Sequence, residues 1–160
     1  MKEKIEWSEI FKFLIKAREE WLLQEGKEKE KVSKMNCFWF SLPPFLYQRI
    51  SYGIFQFFGI EIIFWQKDPI WLMSFEGEIS RESEKDKVFS ILREVLIEEK
   101  ERARIIEEGF YGDHFVKEKE GFLFITDVRQ IAKGEFLGKE EIWKNGERIY
   151  FLNFKSKIIL

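Results

Sequence analysis

The feature that most constrains the fold of this chain is a pattern that the sequence contains twice. Segment 57–79 matches segment 136–158 when the sequence is shifted by 79 positions without a gap. Seven positions of the first copy are identical in the second: Phe57, Gly59, Glu61, Ile63, Ile70, Phe75 and Ile79. The shift is close to half of the 160-residue chain. The pattern therefore indicates a tandem duplication, with both copies contributing to one structure.

Each copy follows a stretch with helical periodicity. Apolar residues recur at helical spacing from about Glu9 to Gln24, and again from Val88 with an extension to Glu108. Strands with turn signals between them are expected at about 37–40, 45–52, 55–65, 70–79, 114–117, 122–128, 135–144 and 148–158. Asn145-Gly146 is typical of a two-residue hairpin turn, because both residues tolerate a positive φ.

Strands that are joined by short turns pair in the antiparallel sense. The sequence therefore predicts an α+β fold: a tandem duplication of a helix followed by three or four antiparallel strands, with two helices packed on one continuous antiparallel sheet. We expect residues 1–160 to form a single domain of two pseudo-symmetric halves, about 1–79 and 80–160.

The composition limits the classes of function. Charged residues make up 35% of the chain, but 27 basic and 29 acidic residues give a net charge of -2. The chain as a whole is therefore not attracted to nucleic acids or anionic membranes, and neither partner is expected. Because Cys37 is the single cysteine, no internal disulfide can form. We expect its side chain to be buried among aromatics. No signal peptide or membrane-spanning pattern is recognisable, which predicts a cytoplasmic protein. The abundance of Lys, Glu and Ile is typical of a heat-adapted source.

Several of these residues also resemble a known family. Gly59 and Glu61, followed by the pattern Pro-Ile-Trp-x-Met-x-Phe-x-Gly at 69–77, resemble the signature of domain-of-unknown-function family 5680. The second half is similar, with Phe136, Gly138, Glu140 and Ile142 followed by Asn145-Gly146 and Ile149-Tyr150. The first half lacks the arginine-proline-glycine-serine segment of the family, and Lys155-Ser156 replaces its closing small residues. The resemblance implies the order of elements. It also implies a link to regulation, because members are often attached to helix-turn-helix regulators, but it implies no chemistry.

Glu61 and Glu140 are the sharpest candidates for a functional site. Strand alternation places each carboxylate on the same face as apolar neighbours. A carboxylate in such a position must be paired, hydrogen-bonded or neutralised. Two of them near a pseudo-twofold axis would form an acid/base pair or hold a cation. The alternative is structural: each glutamate pairs with an arginine or lysine, or caps a backbone bend at its glycine.

Other candidates carry weaker signals. His114 is the only histidine and follows Asp113, so it is either a general base or a loop residue. Trp65, Trp71 and Tyr150 are candidates for the aromatic wall of a ligand pocket. The sequence has neither the ligand spacing of a metal site nor a cofactor-binding motif, and we expect neither a metal nor a cofactor.

The residues on the other face of the predicted strand 55–65 indicate an interface. Phe58, Ile60, Ile62 and Phe64 share this face, whereas the second copy has Leu137, Lys139, Glu141 and Trp143 there. Because an exposed apolar patch of this kind is an aggregation hazard, something should cover it. We predict a homodimer through these four residues. The alternative is that loop 27–44, with Phe38, Trp39 and Phe40, folds back over the strand.

Two classes of function remain open from the sequence. The favoured one is a non-catalytic binding or protein-interaction module of unknown ligand, with a role in regulation. The alternative is a small-ligand-binding protein or enzyme that uses a pocket between sheet and helices, with Glu61 and Glu140 as its polar groups. Convergence of both glutamates on an open cavity without basic partners would favour the second class. Burial of each against a cation would favour the first.

Overall fold

The computed structural model describes residues 5–25, 35–102 and 115–159. Over these residues the chain forms two helices and eight strands. The helices are α1 (Trp7–Glu25) and α2 (Lys85–Arg102), and a short 3-10 turn at Glu82–Glu84 precedes α2. The strands are β1 (Met35–Leu42), β2 (Phe45–Tyr52), β3 (Gln56–Trp65), β4 (Asp68–Ile79), β5 (Phe115–Lys119), β6 (Phe122–Ala132), β7 (Glu135–Lys144) and β8 (Glu147–Ile158).

All eight strands belong to one antiparallel sheet with the order β1-β2-β3-β4-β8-β7-β6-β5. Each group of four strands is a meander in which consecutive strands pair through short turns. The two meanders join where β4 pairs with β8, from Trp71 opposite Ile158 to Ile79 opposite Tyr150. Strands β1 and β5 form the two edges, so β4 and β8 are the central pair of the sheet.

The core lies between the two helices and one face of the sheet. Helix α1 buries Ile10, Phe13, Leu14 and Ala17, which lie at helical spacing, and α2 buries Val88, Ile91 and Val95 in the same way. Alternate residues of each central strand meet them, for example Met73, Phe75 and Ile79 of β4. We call this side of the sheet the helix-facing side and the opposite side the outer face.

Two glycines, one on β3 and one on β7, are covered by aromatic rings from the adjacent central strands β4 and β8. Gly59 is paired with Phe75, and Gly138 is paired with Phe154. A Cβ atom at Gly59 would lie 2.7 Å from the Phe75 ring, and one at Gly138 would lie 2.1 Å from the Phe154 ring. At Gly138 the ring occupies the space of a side chain, whereas at Gly59 the carbonyl oxygen of Ile50, at 2.2 Å, also excludes one.

The predicted fold class has to be corrected. The sequence suggested an α+β fold in which a helix and three or four strands form the repeated unit. The strands instead contain roughly twice as many residues as the helices, and all of them join a single eight-stranded sheet. The strands β1 and β6 account for much of the difference, since each is four residues longer than the segment assigned to it from the sequence, 37–40 and 122–128. The sheet, with two helices on one of its faces, is thus the organising element.

Several local predictions can also be compared with the structure. The Asn145-Gly146 turn is confirmed, with φ values of 51° and 75°. Cys37 was expected to be buried, but it is exposed, because it lies on the outer face of an edge strand. The predicted end of α2 at residues 103–108 lies outside the described residues, and so does His114.

Residues 35–42 do not fold back over β3, as the alternative to a dimer required. They form β1 beside β2, with Phe38 and Phe40 turned toward the core. The ring centroid of Phe40 lies 5.7 Å from that of Phe13. Residues 27–34 lie outside the described part of the chain.

Neither of the two helices that the structure describes combines the length and the apolar character needed to cross a membrane.

Candidate functional site

A cleft opens between the two helices and the helix-facing side of the sheet. Its volume is about 940 Å³, counted together with the solvent space at its mouth. Both helices and seven of the strands contribute to its walls. The charged and polar side chains that line it are Arg18, Asn36, Arg49, Ser51, Glu61, Lys85, Glu140 and Tyr150. Its aromatic walls include Trp21, Phe57, Phe89 and Phe124. Glu61 and Glu140 therefore converge on the same cleft.

Glu61 is fully buried and is held by two arginines. Arg18 of α1 donates two hydrogen bonds to its Oε2 atom, from Nη2 at 2.8 Å and from Nε at 3.2 Å. Arg49, the cross-strand neighbour of Glu61 on β2, donates from Nη1 to Oε1. Burial alone would raise the pKa of Glu61, but the charges of Arg18 and Arg49 together outweigh it and lower that pKa. Glu61 is therefore a carboxylate with both oxygens engaged.

Arg49 is fixed by aromatic rings as well as by Glu61. Its guanidinium carbon lies 3.7 Å from the ring centroid of Trp21 and 4.2 Å from that of Phe75. The residue is only 7% exposed. Its Nε atom is buried and has no hydrogen-bond partner among the described residues. Because an unsatisfied buried donor costs free energy, an acceptor that reached this atom would stabilise the folded state.

Glu140 is half-buried on β7, in a different setting from Glu61. Its Oε2 atom accepts a hydrogen bond from the hydroxyl of Tyr150 at 3.2 Å. Among the described residues no lysine or arginine lies within ion-pairing distance of it. Burial raises the pKa of Glu140, and the charge of Arg18 and the Tyr150 hydrogen bond offset only part of that effect. Burial and the negative charge of Glu140 in turn raise the pKa of Tyr150.

The register of the sheet explains the difference between the two glutamates. Glu61 lies opposite Arg49 on β2, whereas Glu140 lies opposite Thr126 on β6. At the helix shift of 78 positions, Leu96 takes the place of Arg18. Both cations that hold Glu61 are therefore replaced by uncharged residues around Glu140.

Of the remaining residues predicted to form a site or an interface, the structure places only one in the cleft. Of the three aromatic candidates, Tyr150 lines the cleft, whereas Trp71 is buried in the core and Trp65 packs against the core elsewhere. The predicted dimer residues Phe58, Ile60, Ile62 and Phe64 lie on the outer face, on the opposite side of the sheet from the cleft.

Sequence reasoning missed the cationic and aromatic parts of the cleft. Arg18 lies four residues after Leu14 on the apolar face of α1, and Arg49 alternates with the inward-facing Tyr47 and Ser51 on β2. A charged residue in an apolar register is the signal that was available in both cases. Trp21 and Phe89 were assigned to helices, but nothing in the sequence showed that their rings meet, with centroids 6.1 Å apart.

The arrangement suits binding better than covalent chemistry. It combines a buried donor on Arg49, an acceptor on Glu140 and aromatic walls, which together resemble a small-molecule site. Among the described residues no group of His, Cys, Asp and Glu is placed to hold a metal ion.

Comparison with known proteins identifies the family. A sequence model of the family described as Domain of unknown function (DUF5680) matches residues 50–159, which is more than half of the chain. The chain belongs to this family. No curated protein and no solved structure matches it. The matched segment includes Glu61, Glu140 and Tyr150, whereas Arg18 and Arg49 precede it.

Replacing Glu61 by Gln tests the buried ion pairs. The variant leaves Arg18 and Arg49 without a countercharge, and we expect it to lose about 3–5 kcal/mol of unfolding free energy at neutral pH. Because the pKa of Glu61 is lowered in the fold, the carboxylate stabilises the protein above its ordinary pKa of 4.5. The loss should therefore shrink as the pH falls through the lowered pKa. Urea unfolding of both proteins between pH 3 and pH 7 measures it, and an equal loss at every pH would contradict this explanation.

The same substitution at Glu140 should have the opposite effect on stability. Because the pKa of Glu140 is raised in the fold, its ionisation destabilises the protein as the pH rises above 4.5. Glu140→Gln removes that cost and keeps an acceptor for Tyr150, so the variant should melt at a higher temperature than wild type at pH 7 and at the same temperature near pH 3. The matched control is Glu76→Gln, on the exposed outer face of β4. A lower melting temperature for Glu140→Gln at pH 7 would show that the carboxylate is stabilising.

Proposed function

We propose that this protein is a non-catalytic module that binds a small molecule in the cleft between its helices and its sheet. The observation that carries the proposal is the buried, unpartnered Nε atom of Arg49 in a cleft with aromatic walls. Small-molecule sites are typically concave and mostly apolar, with a few polar groups that fix orientation. The cleft has each of these properties.

The opposite pKa shifts of Glu61 and Glu140 at first favour the enzyme alternative, since acid/base pairs are often made this way. The contacts of Glu61 argue against it. Its side chain is 1% exposed, and its two oxygens already accept hydrogen bonds from Arg18 and Arg49. A general base must reach the proton that it removes. Glu61 has no free oxygen to accept that proton, which leaves Glu140 as a single carboxyl group without a paired base.

A binding module of this kind also fits a regulatory role. A ligand that binds one conformation of the module more tightly than another shifts the population between them, and this shift is what an attached partner would sense. We also propose that the protein is cytoplasmic. The internal repeat is supported by the recurring register of Gly59 with Phe75 and of Gly138 with Phe154.

A variant with a blocked cleft tests the proposal. Leu92 is half-buried and lines the cleft from α2, so Leu92→Trp should fill the cleft without adding a charge. We expect fragments from a small-molecule library to raise the melting temperature of wild type, and the same fragments to have little effect on the variant. The matched control is Leu23→Trp on the exposed side of α1, which should respond as wild type does. Equal shifts in all three proteins would place binding elsewhere, and a library without any hit would refute the proposal.

A second candidate function, a protein-interaction surface, is favoured by the outer face of β3. Phe58 is 62% exposed and stacks on Tyr52, with ring centroids 5.7 Å apart. Trp39, on the same face of β1, is also exposed. In the second half, Lys139 and Glu141 take the positions of Ile60 and Ile62. Since these two charges are absent from the first half, we propose that a second copy of the chain covers its apolar patch in a twofold dimer.

The double variant Ile60→Lys/Ile62→Glu copies the second half onto the first and tests the dimer. Opposite charges on the patch would oppose the burial of the apolar surface, so the variant should sediment as a soluble monomer while wild type sediments as a dimer. The matched control, Leu72→Lys on the neighbouring strand β4, shows whether one charge near the patch is enough. A wild-type monomer at the highest soluble concentration would refute the dimer.

A further inference from the structure

We propose that the ligand of this cleft is a small amphipathic carboxylate, whose anionic head meets Arg49 and whose apolar body lies along the aromatic walls. This inference rests on the proposed function and specifies the chemical class of the ligand.

The charges that line the cleft favour an anion. Arg18, Arg49 and Lys85 oppose the two carboxylates Glu61 and Glu140, so the cleft carries an excess of one positive charge. The chain as a whole carries a net charge of -2. The cleft is thus positive within a slightly negative protein, which favours a ligand with one negative charge over a neutral or cationic one.

The geometry of Arg49 favours a carboxylate head. A guanidinium is planar and matches the two oxygens of a carboxylate. The Trp21 and Phe75 rings on Arg49, at 3.7 Å and 4.2 Å, fix the plane of the group before any ligand arrives. Its Nη1 atom is engaged by Glu61, whereas its buried Nε atom has no partner among the described residues. A ligand oxygen that displaced the side chains covering Nε would satisfy the donor without breaking the pair with Glu61.

The remaining walls are suited to an apolar body. Phe57 and Phe124 lie on the sheet side of the cleft, and Phe89 and Leu92 lie on α2. The ring of Phe89 meets that of Trp21 edge to face, which closes the gap between the helices at this point. Lys85 lines the cleft with its ammonium group 6.0 Å from the Phe89 ring centroid. These side chains give a phenyl ring with a short chain apolar and aromatic surface to pack against.

Glu140 explains how a second carboxylate is tolerated beside the head. The groups that act on it are Arg18 of α1, Arg49 of β2, Glu61 of β3 and Tyr150 of β8. Its pKa is already raised by burial, and a ligand carboxylate in the same cleft would raise it further. Glu140 would then take up a proton on binding and donate a hydrogen bond to the head. Binding should therefore tighten as the pH falls.

Three probes with the same body and different heads test the inference: 4-phenylbutyrate, 4-phenylbutanol and 4-phenylbutylamine. We expect titration calorimetry with the full chain at pH 7.5 to show about tenfold tighter binding of the acid than of the other two. Glu140→Gln should bind the acid several-fold more tightly than wild type at this pH, because the amide mimics the protonated carboxyl. The variant should also lose the proton uptake that wild type shows in buffers of different ionisation enthalpy. Glu76→Gln, on the outer face, should behave as wild type does.

The other outcomes overturn the inference in ways that can be told apart from a failure of the proposed function. Preference for the amine, with binding lost in Glu140→Gln, would identify Glu140 as the anchor for a cation. Equal binding of the acid and the alcohol would show that the head charge plays no part. Either result refutes the carboxylate and leaves a small-molecule site. If none of the probes binds at millimolar concentration, the carboxylate is refuted as well, and the library screen with Leu92→Trp decides separately whether the cleft binds small molecules.

Discussion

The pairing of β4 with β8 is the contact on which the rest of the structure depends. It joins two four-stranded meanders into one sheet, from Trp71 opposite Ile158 to Ile79 opposite Tyr150. The floor of the cleft crosses this seam, since Met73 and Ile79 come from β4 and Tyr150 and Leu152 come from β8. Glu61 and Glu140 lie on the strands that flank the seam on either side. Without this ladder there would be two separate sheets and no common cleft.

The two glutamates show how one residue type acquires two roles from its surroundings. A buried carboxylate must be compensated, and at Glu61 the compensation comes from two guanidinium groups, one on a helix and one on the adjacent strand. At Glu140 the same positions hold a threonine and a leucine, and a tyrosine hydroxyl is the partner instead. The first glutamate is therefore part of the framework. The second retains the capacity to change its protonation state. The charge of the cleft can therefore change on the side of Glu140 and stays fixed on the side of Glu61.

The sequence predicted the local elements well and the site only in part. Alternation correctly placed Glu61 and Glu140 on the helix-facing side, because the two-residue period of a strand fixes the face of each side chain. It did not identify Arg18 as a partner of Glu61, since the pair is separated by 43 residues and depends on how α1 lies on the sheet. The amount of strand was underestimated at β1 and β6, whose ends are strands because they pair with a neighbouring strand. The exposure of Cys37 was misjudged because an edge position on the outer face exposes a residue that lies beside aromatics in the sequence.

The aromatic rings over the glycines have a consequence for how this family can diverge. At Gly138 the space of a side chain is filled by the Phe154 ring, whereas at Gly59 the carbonyl oxygen of Ile50, 2.2 Å from the position of a Cβ atom, lies closer than the Phe75 ring. A methyl group on Gly138 requires only the ring to move, but one on Gly59 also meets backbone of the neighbouring strand. Substitutions at positions 138 and 154 should therefore be found together in related sequences, although the residues are 16 positions apart. Position 59 should remain glycine whatever residue stands at position 75.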